Sequence, residues 1–156
     1  MKQKITVIAT LIVVFFAITK TQAQTVVNDN SATVNNKVQA VFEKTFPNAE
    51  RTSWMPVKNG YEASFSYNGI ETVVGYNKAG RSDYIVERYG ADRLSSSVTA
   101  MLNDAYKEYD IVNAIEVNMN GRISYLVNIE SKKFKKVIRI NDDGMDVYQD
   151  MAITTR

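Results

Sequence analysis

The sequence predicts an α+β fold of two tandem α-β-β-β-β units, their strands aligned into an antiparallel sheet with both helices on one face. Three observations predict it. Val34, Val38, Ala40, Phe42 and Phe46 are matched sixty residues on by Leu94, Val98, Ala100, Leu102 and Tyr106, and Tyr76-Asn77-Lys78-Ala79-Gly80 is matched by Ile140-Asn141-Asp142-Asp143-Gly144. Self-similarity on this scale is a statement about architecture. Each unit opens with a helical period and then switches to alternation. The reversals carry hairpin dipeptides, so the strands are joined by tight turns and not by helical crossovers.

The first helix is expected over residues 34–46, where Val34, Val38, Val41, Phe42 and Thr45 lay one apolar stripe. Asn35 or Asn36 can cap its start. Pro47 stops it, because the residue before a proline is pushed out of the α region. In the second helix Val98, Met101, Leu102, Ala105 and Tyr109 form the stripe, and Ser95, Ser96 and Ser97 are the cap candidates. Asn59-Gly60, Asn68-Gly69 and Asn120-Gly121 read as type I′ hairpin turns, which need positive φ at both central residues. Ala79-Gly80 and Asp143-Gly144 mark the third hairpin of each unit. By alternation, Tyr61, Ala63, Phe65, Tyr67, Val74 and Tyr76 face the helix of the first unit. Ile123, Tyr125, Val127, Ile129, Ile138 and Ile140 do so in the second. The opposite face offers Glu62, Ser64, Ser66, Glu71 and Val73, then Ser124, Leu126, Asn128, Lys135, Val137 and Arg139. It reads as mostly polar and solvated. The last strand of each unit alternates poorly and has no assigned inner face.

Lys2 and Lys4, the apolar run over residues 5–18 and the small residues of Thr21-Gln22-Ala23 read as a signal peptide cut after Ala23. The predicted organisation is a signal peptide at 1–23, a polar leader at 24–33, a first repeat at 34–90 and a second, diverged repeat at 91–156. Three of the 19 basic side chains (Lys2, Lys4 and Lys20) lie in the signal. The mature chain then carries 16 against 17 acidic groups, a net charge of −1. A near-neutral chain gives no reason to expect nucleic acid or an anionic membrane as partner. There is no cysteine and no histidine. Serine–histidine and cysteine–histidine nucleophiles and zinc sites built from these ligands are therefore excluded. No metal, cofactor or catalytic residue is expected, and the chain does not read as an enzyme.

Phe46-Pro47-Asn48-Ala49 closing a helix, Trp54 in the next strand, Asn59-Gly60-Tyr61-Glu62-Ala63-Ser64-Phe65, Tyr67-Asn68-Gly69, Val73-Val74 and Tyr76-Asn77-Lys78-Ala79-Gly80 together resemble the PepSY-like, or β-lactamase-inhibitor-like, family of exported proteins of Gram-negative bacteria. The resemblance covers most of residues 34–89. In the second unit Lys107 replaces the proline and no tryptophan follows. The resemblance implies the fold, a periplasmic or secreted location and, by analogy with an inhibitor that grips β-lactamase with the open face of a sheet, a binding role. It carries over no target-binding residue.

The candidate binding residues are Trp54, Tyr84, Arg88, Tyr89, Leu126, Lys135, Arg139 and Tyr148, because Trp, Tyr and Arg dominate binding hot spots. The partner they imply is a protein or peptide in the periplasm. The alternative is a small-ligand or envelope-sensing module with a pocket between helices and sheet. Packing is the competing role for Trp54 and the tyrosines. The cluster Lys132, Lys133, Lys135, Lys136 and Arg139 reads as a solvated face, and Asn141-Asp142-Asp143-Gly144 with Asp146 as a turn in preference to a calcium site.

Overall fold

The structure, a computed structural model, describes residues 34–153. The predicted signal peptide, its cleavage site and the leader lie outside the described residues. Helix α1 (Asn36–Thr45) is followed by β1 (Glu50–Val57), β2 (Gly60–Tyr67), β3 (Ile70–Asn77) and β4 (Ser82–Gly90). A 3-10 turn (Ala91–Arg93) leads into α2 (Ser96–Ala105), β5 (Asp110–Met119), β6 (Arg122–Glu130), β7 (Phe134–Asn141) and β8 (Gly144–Ala152). The eight strands form one antiparallel sheet in the order β1-β2-β3-β4-β5-β6-β7-β8.

Both helices begin and end alike. The Asn35 side chain accepts from the Lys37 and Val38 amides, and the Ser95 hydroxyl from the Val98 amide. Such a cap satisfies amide donors that have no intrahelical partner. Phe46 N–H donates to Phe42 C=O and Tyr106 N–H to Leu102 C=O, each at 2.8 Å. The second helix stops in this way without a proline, so this stop does not require one. The outer ends of the predicted stripes are corrected: Thr45, Met101 and Ala105 are exposed, and Tyr109 lies beyond α2. Only Val38 and Phe42, and Val98 and Leu102, are buried within the helices.

Each helix covers its own half of the sheet. Val38 and Phe42 pack on Ala63, Phe65, Val74 and Tyr76. Leu94, Val98 and Leu102 pack on Ala114, Val127, Ile129, Ile138 and Ile140. The first core is aromatic. Phe42 makes edge contacts with Trp54 at 5.1 Å and Phe65 at 4.9 Å. The second is aliphatic. The place Trp54 takes opposite Ala63 on edge strand β1 is taken by Ala114 opposite Val127 on central strand β5. An edge strand has no neighbour beyond it, so a large ring there closes the side of the core.

The turns hold with one correction. Asn68 and Gly69 (φ 51 and 76), and Asn120 and Gly121 (φ 53 and 80), are left-handed pairs as a type I′ turn requires. Gly60 is not a turn residue. It pairs with Val57 as the first residue of β2, and the reversal is made by Lys58 and Asn59. Its glycine answers a packing need: a Cβ there would lie 1.8 Å from the Tyr76 carbonyl oxygen.

Candidate functional site

The two units join edge to edge where β4 pairs with β5. The join makes β4 and β5 central strands, and the expectation that the face opposite α1 and α2 is mostly polar and solvated is corrected by the burial of its centre. Val73, Val86 and Val117 are linked through successive partners across β3, β4 and β5. Ile115 and Leu126 are partners across β5 and β6, and Val137 follows on β7. All six side chains are buried. They point away from the face on which both helices pack, since their strand neighbours Val74, Ala114, Val127 and Ile138 are the ones the helices cover. Sequence alternation assigned Val73, Leu126 and Val137 to this face but gave no face to Val86, Ile115 or Val117. Val86 and Ile115 have apolar partners within their own repeats, Val73 and Leu126, and the join adds Val117 beside Val86.

Polar side chains frame this apolar centre, each held by a partner. Tyr84 lies flat over Gly75, whose hypothetical Cβ would sit 2.3 Å from the ring. Its hydroxyl donates to Glu62 at 2.5 Å. Burial and the Glu62 carboxylate push that hydroxyl well above the ordinary tyrosine range, so it remains a donor. Arg88 is directly opposite Glu71 on one side and Ile115 on the other. Arg139 grips Asp146 in a fork, Nε at 2.9 Å and Nη2 at 2.7 Å, with the Tyr148 ring 5.9 Å from the guanidinium. Lys135 pairs with Glu130 at 3.1 Å, and the Asn128 amide donates to Asn113 at 2.6 Å.

Of the eight candidate residues, Tyr84, Arg88, Leu126, Lys135, Arg139 and Tyr148 share this one face. Trp54 and Tyr89 do not. Trp54 packs in the first core against Phe42 and Tyr76. Tyr89 lies on the helix side and donates to Glu116 at 2.6 Å.

That same side holds a feature the sequence did not reveal. Glu87 and Glu116 are directly opposed across β4 and β5, at the junction between the two units. Burial, then the Glu116 charge, raises the Glu87 carboxyl above its ordinary value, and Tyr125 is raised by burial and by Glu116. The signal is the register between the repeats, which no motif in either repeat encodes. Glu62 and Glu71, on the opposite face, each have a separate partner: Glu62 accepts from Tyr84, and Glu71 pairs with Arg51 at 2.9 Å. Lys136 pairs with Asp150, so the basic run of β7 is answered strand by strand. The Asn141 side chain accepts from the Asp143 amide at 2.9 Å, closing the turn. Among the described residues no group of three or more His, Cys, Asp or Glu could hold a metal ion, and no helix is long and apolar enough to cross a membrane.

Solved structures share this architecture. The chain has a BLIP-like fold. A BLIP-like protein from Bacteroides fragilis superposes with a TM-score of 0.56 at 17% identity, covering 79% of this chain and 89% of that one. A DUF2874 family protein from Bacteroides ovatus gives 0.58 at 20% identity, covering 77% and 88%. A Bacteroides eggerthii protein described provisionally as periplasmic gives 0.57 at 19%, covering 78% and 90%. No family model and no curated protein matches the sequence.

Proposed function

We propose that this protein is an exported, non-enzymatic binding module of the PepSY-like and BLIP-like kind, which engages a protein or peptide partner in the cell envelope through the sheet face opposite α1 and α2. One observation carries the reading: six aliphatic side chains are gathered at the centre of a face on which neither described helix packs. Those six are buried, so a partner meets the rim of Tyr84, Arg88, Arg139 and Tyr148 around them, and Tyr and Arg are residue types that dominate recognition hot spots. The rim is pre-organised, because Tyr84, Arg139 and Lys135 are already fixed by Glu62, Asp146 and Glu130. A partner therefore meets side chains whose ordering cost has largely been met in the free protein. The fold neighbours and the signal-like first residues support an exported, periplasmic setting. The pocket alternative is weakened by the space beneath each helix, which is filled by Val38 and Phe42 in one half and by Val98 and Leu102 in the other.

The test is saturable capture from an envelope extract by the exported chain and by Arg88→Glu and Tyr148→Ala variants, with circular dichroism as the folding control. The expected result is a partner retained by the parent and by a Lys107→Ala control, and lost with both rim variants. Absence of any saturable partner, or equal capture by parent and rim variants, overturns the reading. A β-lactamase activity assay is expected to show no inhibition, because no residue pattern for that target is present.

A further inference from the structure

The sheet has two edges, and they are built differently. Edge strand β1 is blocked: Pro56 has no N–H to donate, and Arg51 takes a left-handed φ of 53 where the register slips between Glu50 and Ser53. Edge strand β8 has no proline and no lysine or arginine, and its bulge at Tyr148 is the one edge-blunting feature it shares with β1. Val147, Tyr148 and Met151 are each at least 40% exposed along it, with Phe134 beside them on β7. Its acidic residues are answered from within the chain, Asp146 by Arg139 and Asp150 by Lys136.

The register of β8 is the informative feature. Val137 pairs with Gln149 and Ile138 with Val147, which leaves Tyr148 as an extra, bulged residue. Met145, Val147, Asp150 and Ala152 pair with Ile140, Ile138, Lys136 and Phe134 and so lie on the helix side. Asp146 and Met151 pair with Arg139 and Lys135 on the other side. Gln149 joins them opposite Val137, and Tyr148 joins them beside Arg139. Read from Met145 to Ala152, the faces alternate up to the bulge, repeat once at Tyr148 and Gln149, and alternate again. The order is the same in both directions. An antiparallel pair keeps partners on the same face. Two copies of β8 therefore match about a two-fold axis between Tyr148 and Gln149. That register sets Tyr148 against Gln149 of the other copy, Val147 against Asp150 and Asp146 against Met151, so no like charges are opposed. Shifting it by one residue puts helix-side residues against residues of the other face.

We propose that β8 is a self-pairing edge and that the protein forms a two-fold dimer by β8-to-β8 strand addition, extending the sheet across both copies with α1 and α2 of each copy on one side. The blocked β1 edge gives the assembly its limit. A β8-to-β1 contact would be heterologous and would propagate as a fibre, whereas the β8 pair is isologous and closes at two. One strand pair is a small interface, so the dimer is concentration dependent.

The test is sedimentation velocity on the exported chain over a concentration series, with three variants at exposed positions of β8. Val147→Asp would face Asp150 of the other copy, and Met151→Asp would face Asp146. Each opposition occurs twice in the dimer and is expected to weaken it about tenfold. Val147→Lys would meet Asp150 and is expected to keep or tighten the dimer. That outcome separates this register from generic edge blocking, in which lysine would be the most disruptive choice. A parent that stays monomeric at every concentration overturns the proposal. So does dissociation by Val147→Lys equal to that by Val147→Asp, when circular dichroism confirms that both are folded.

Discussion

Glu87 and Glu116 set two carboxylates side by side on the central strands, and replacing Glu87 with glutamine removes one charge while keeping shape and hydrogen-bonding atoms. At roughly 6 Å and an effective dielectric near 20, Coulomb repulsion has a ceiling of about 3 kcal/mol. Both side chains are half-buried, and the water that reaches them screens much of this. Directly opposed like charges on paired strands are measured at about 0.2–1 kcal/mol. A gain of ~1 kcal/mol for Glu87→Gln at neutral pH is therefore expected.

The sign follows from linkage. Burial and Glu116 raise the Glu87 carboxyl in the folded state above its unfolded value. In the window between the two, the folded chain holds more protons than the unfolded chain, so stability falls as pH rises through it. Below the unfolded value Glu87 is neutral in both states and the penalty is absent. Urea unfolding followed by the fluorescence of Trp54, the single tryptophan, gives the midpoints at pH 7 and well below pH 4. Glu87→Gln should be more stable than the parent at pH 7 and equal to it in acid. Contributions from groups remote from the pair are common to both proteins and cancel in the difference. A loss of stability at pH 7, or a gain that persists unchanged in acid, would refute the assignment of the two carboxylates to one repulsive pair.

Leu102→Ala, at a side chain 1% exposed in the second core, is expected to cost about 2–5 kcal/mol in the same unfolding assay, with exposed Met101→Ala costing far less. Gly75→Ala drives a methyl into the Tyr84 ring and should cost about 1–3 kcal/mol, most of it recovered in a Tyr84→Ala background where the ring is gone. Gly60→Ala, aimed at the Tyr76 carbonyl oxygen, should prevent the β2–β3 pairing and abolish soluble expression. Gly121→Ala has open space around it and should cost only the left-handed φ penalty, about 1–2 kcal/mol.

Local rules made the helices and most turns legible. Asn35 and Ser95 are cap residues standing just before apolar stripes, and Asn68-Gly69 and Asn120-Gly121 encode their φ signs in the residue types themselves. Asn59-Gly60 misled because a glycine at a reversal can answer two needs, a left-handed φ or a close approach, and here it answers the second. What stayed out of reach was the register between the repeats. β4 and β5 are separated by α2, and nothing local in either strand fixes their pairing. The Val86–Val117 pairing at the apolar centre and the Glu87–Glu116 pair both depend on it. Trp54 and Tyr89 were candidates by residue type, and type alone does not say which face of a sheet a side chain takes.

The two copies can be compared position by position, sixty apart in the helices and sixty-four apart in the second and third strands of each unit. Towards the helices the equivalents are Val38 and Val98, Phe42 and Leu102, Ala63 and Val127, Phe65 and Ile129, Val74 and Ile138, and Tyr76 and Ile140. All twelve are buried and none is charged. On the face opposite α1 and α2 the equivalents are Glu62 and Leu126, Ser64 and Asn128, Ser66 and Glu130, Glu71 and Lys135, Val73 and Val137, and Gly75 and Arg139. Only the valine pair keeps its chemistry. A requirement to bury a helix constrains one face of each unit identically, so that face stays the same in both. If the other face were merely solvated, exchanges among small and charged polar residues would suffice. It carries instead a leucine where its counterpart is a glutamate, and an arginine where its counterpart is a glycine covered by Tyr84. The result is a face with two unlike halves around one apolar centre. That form suits a partner lacking the internal symmetry of the sheet it meets.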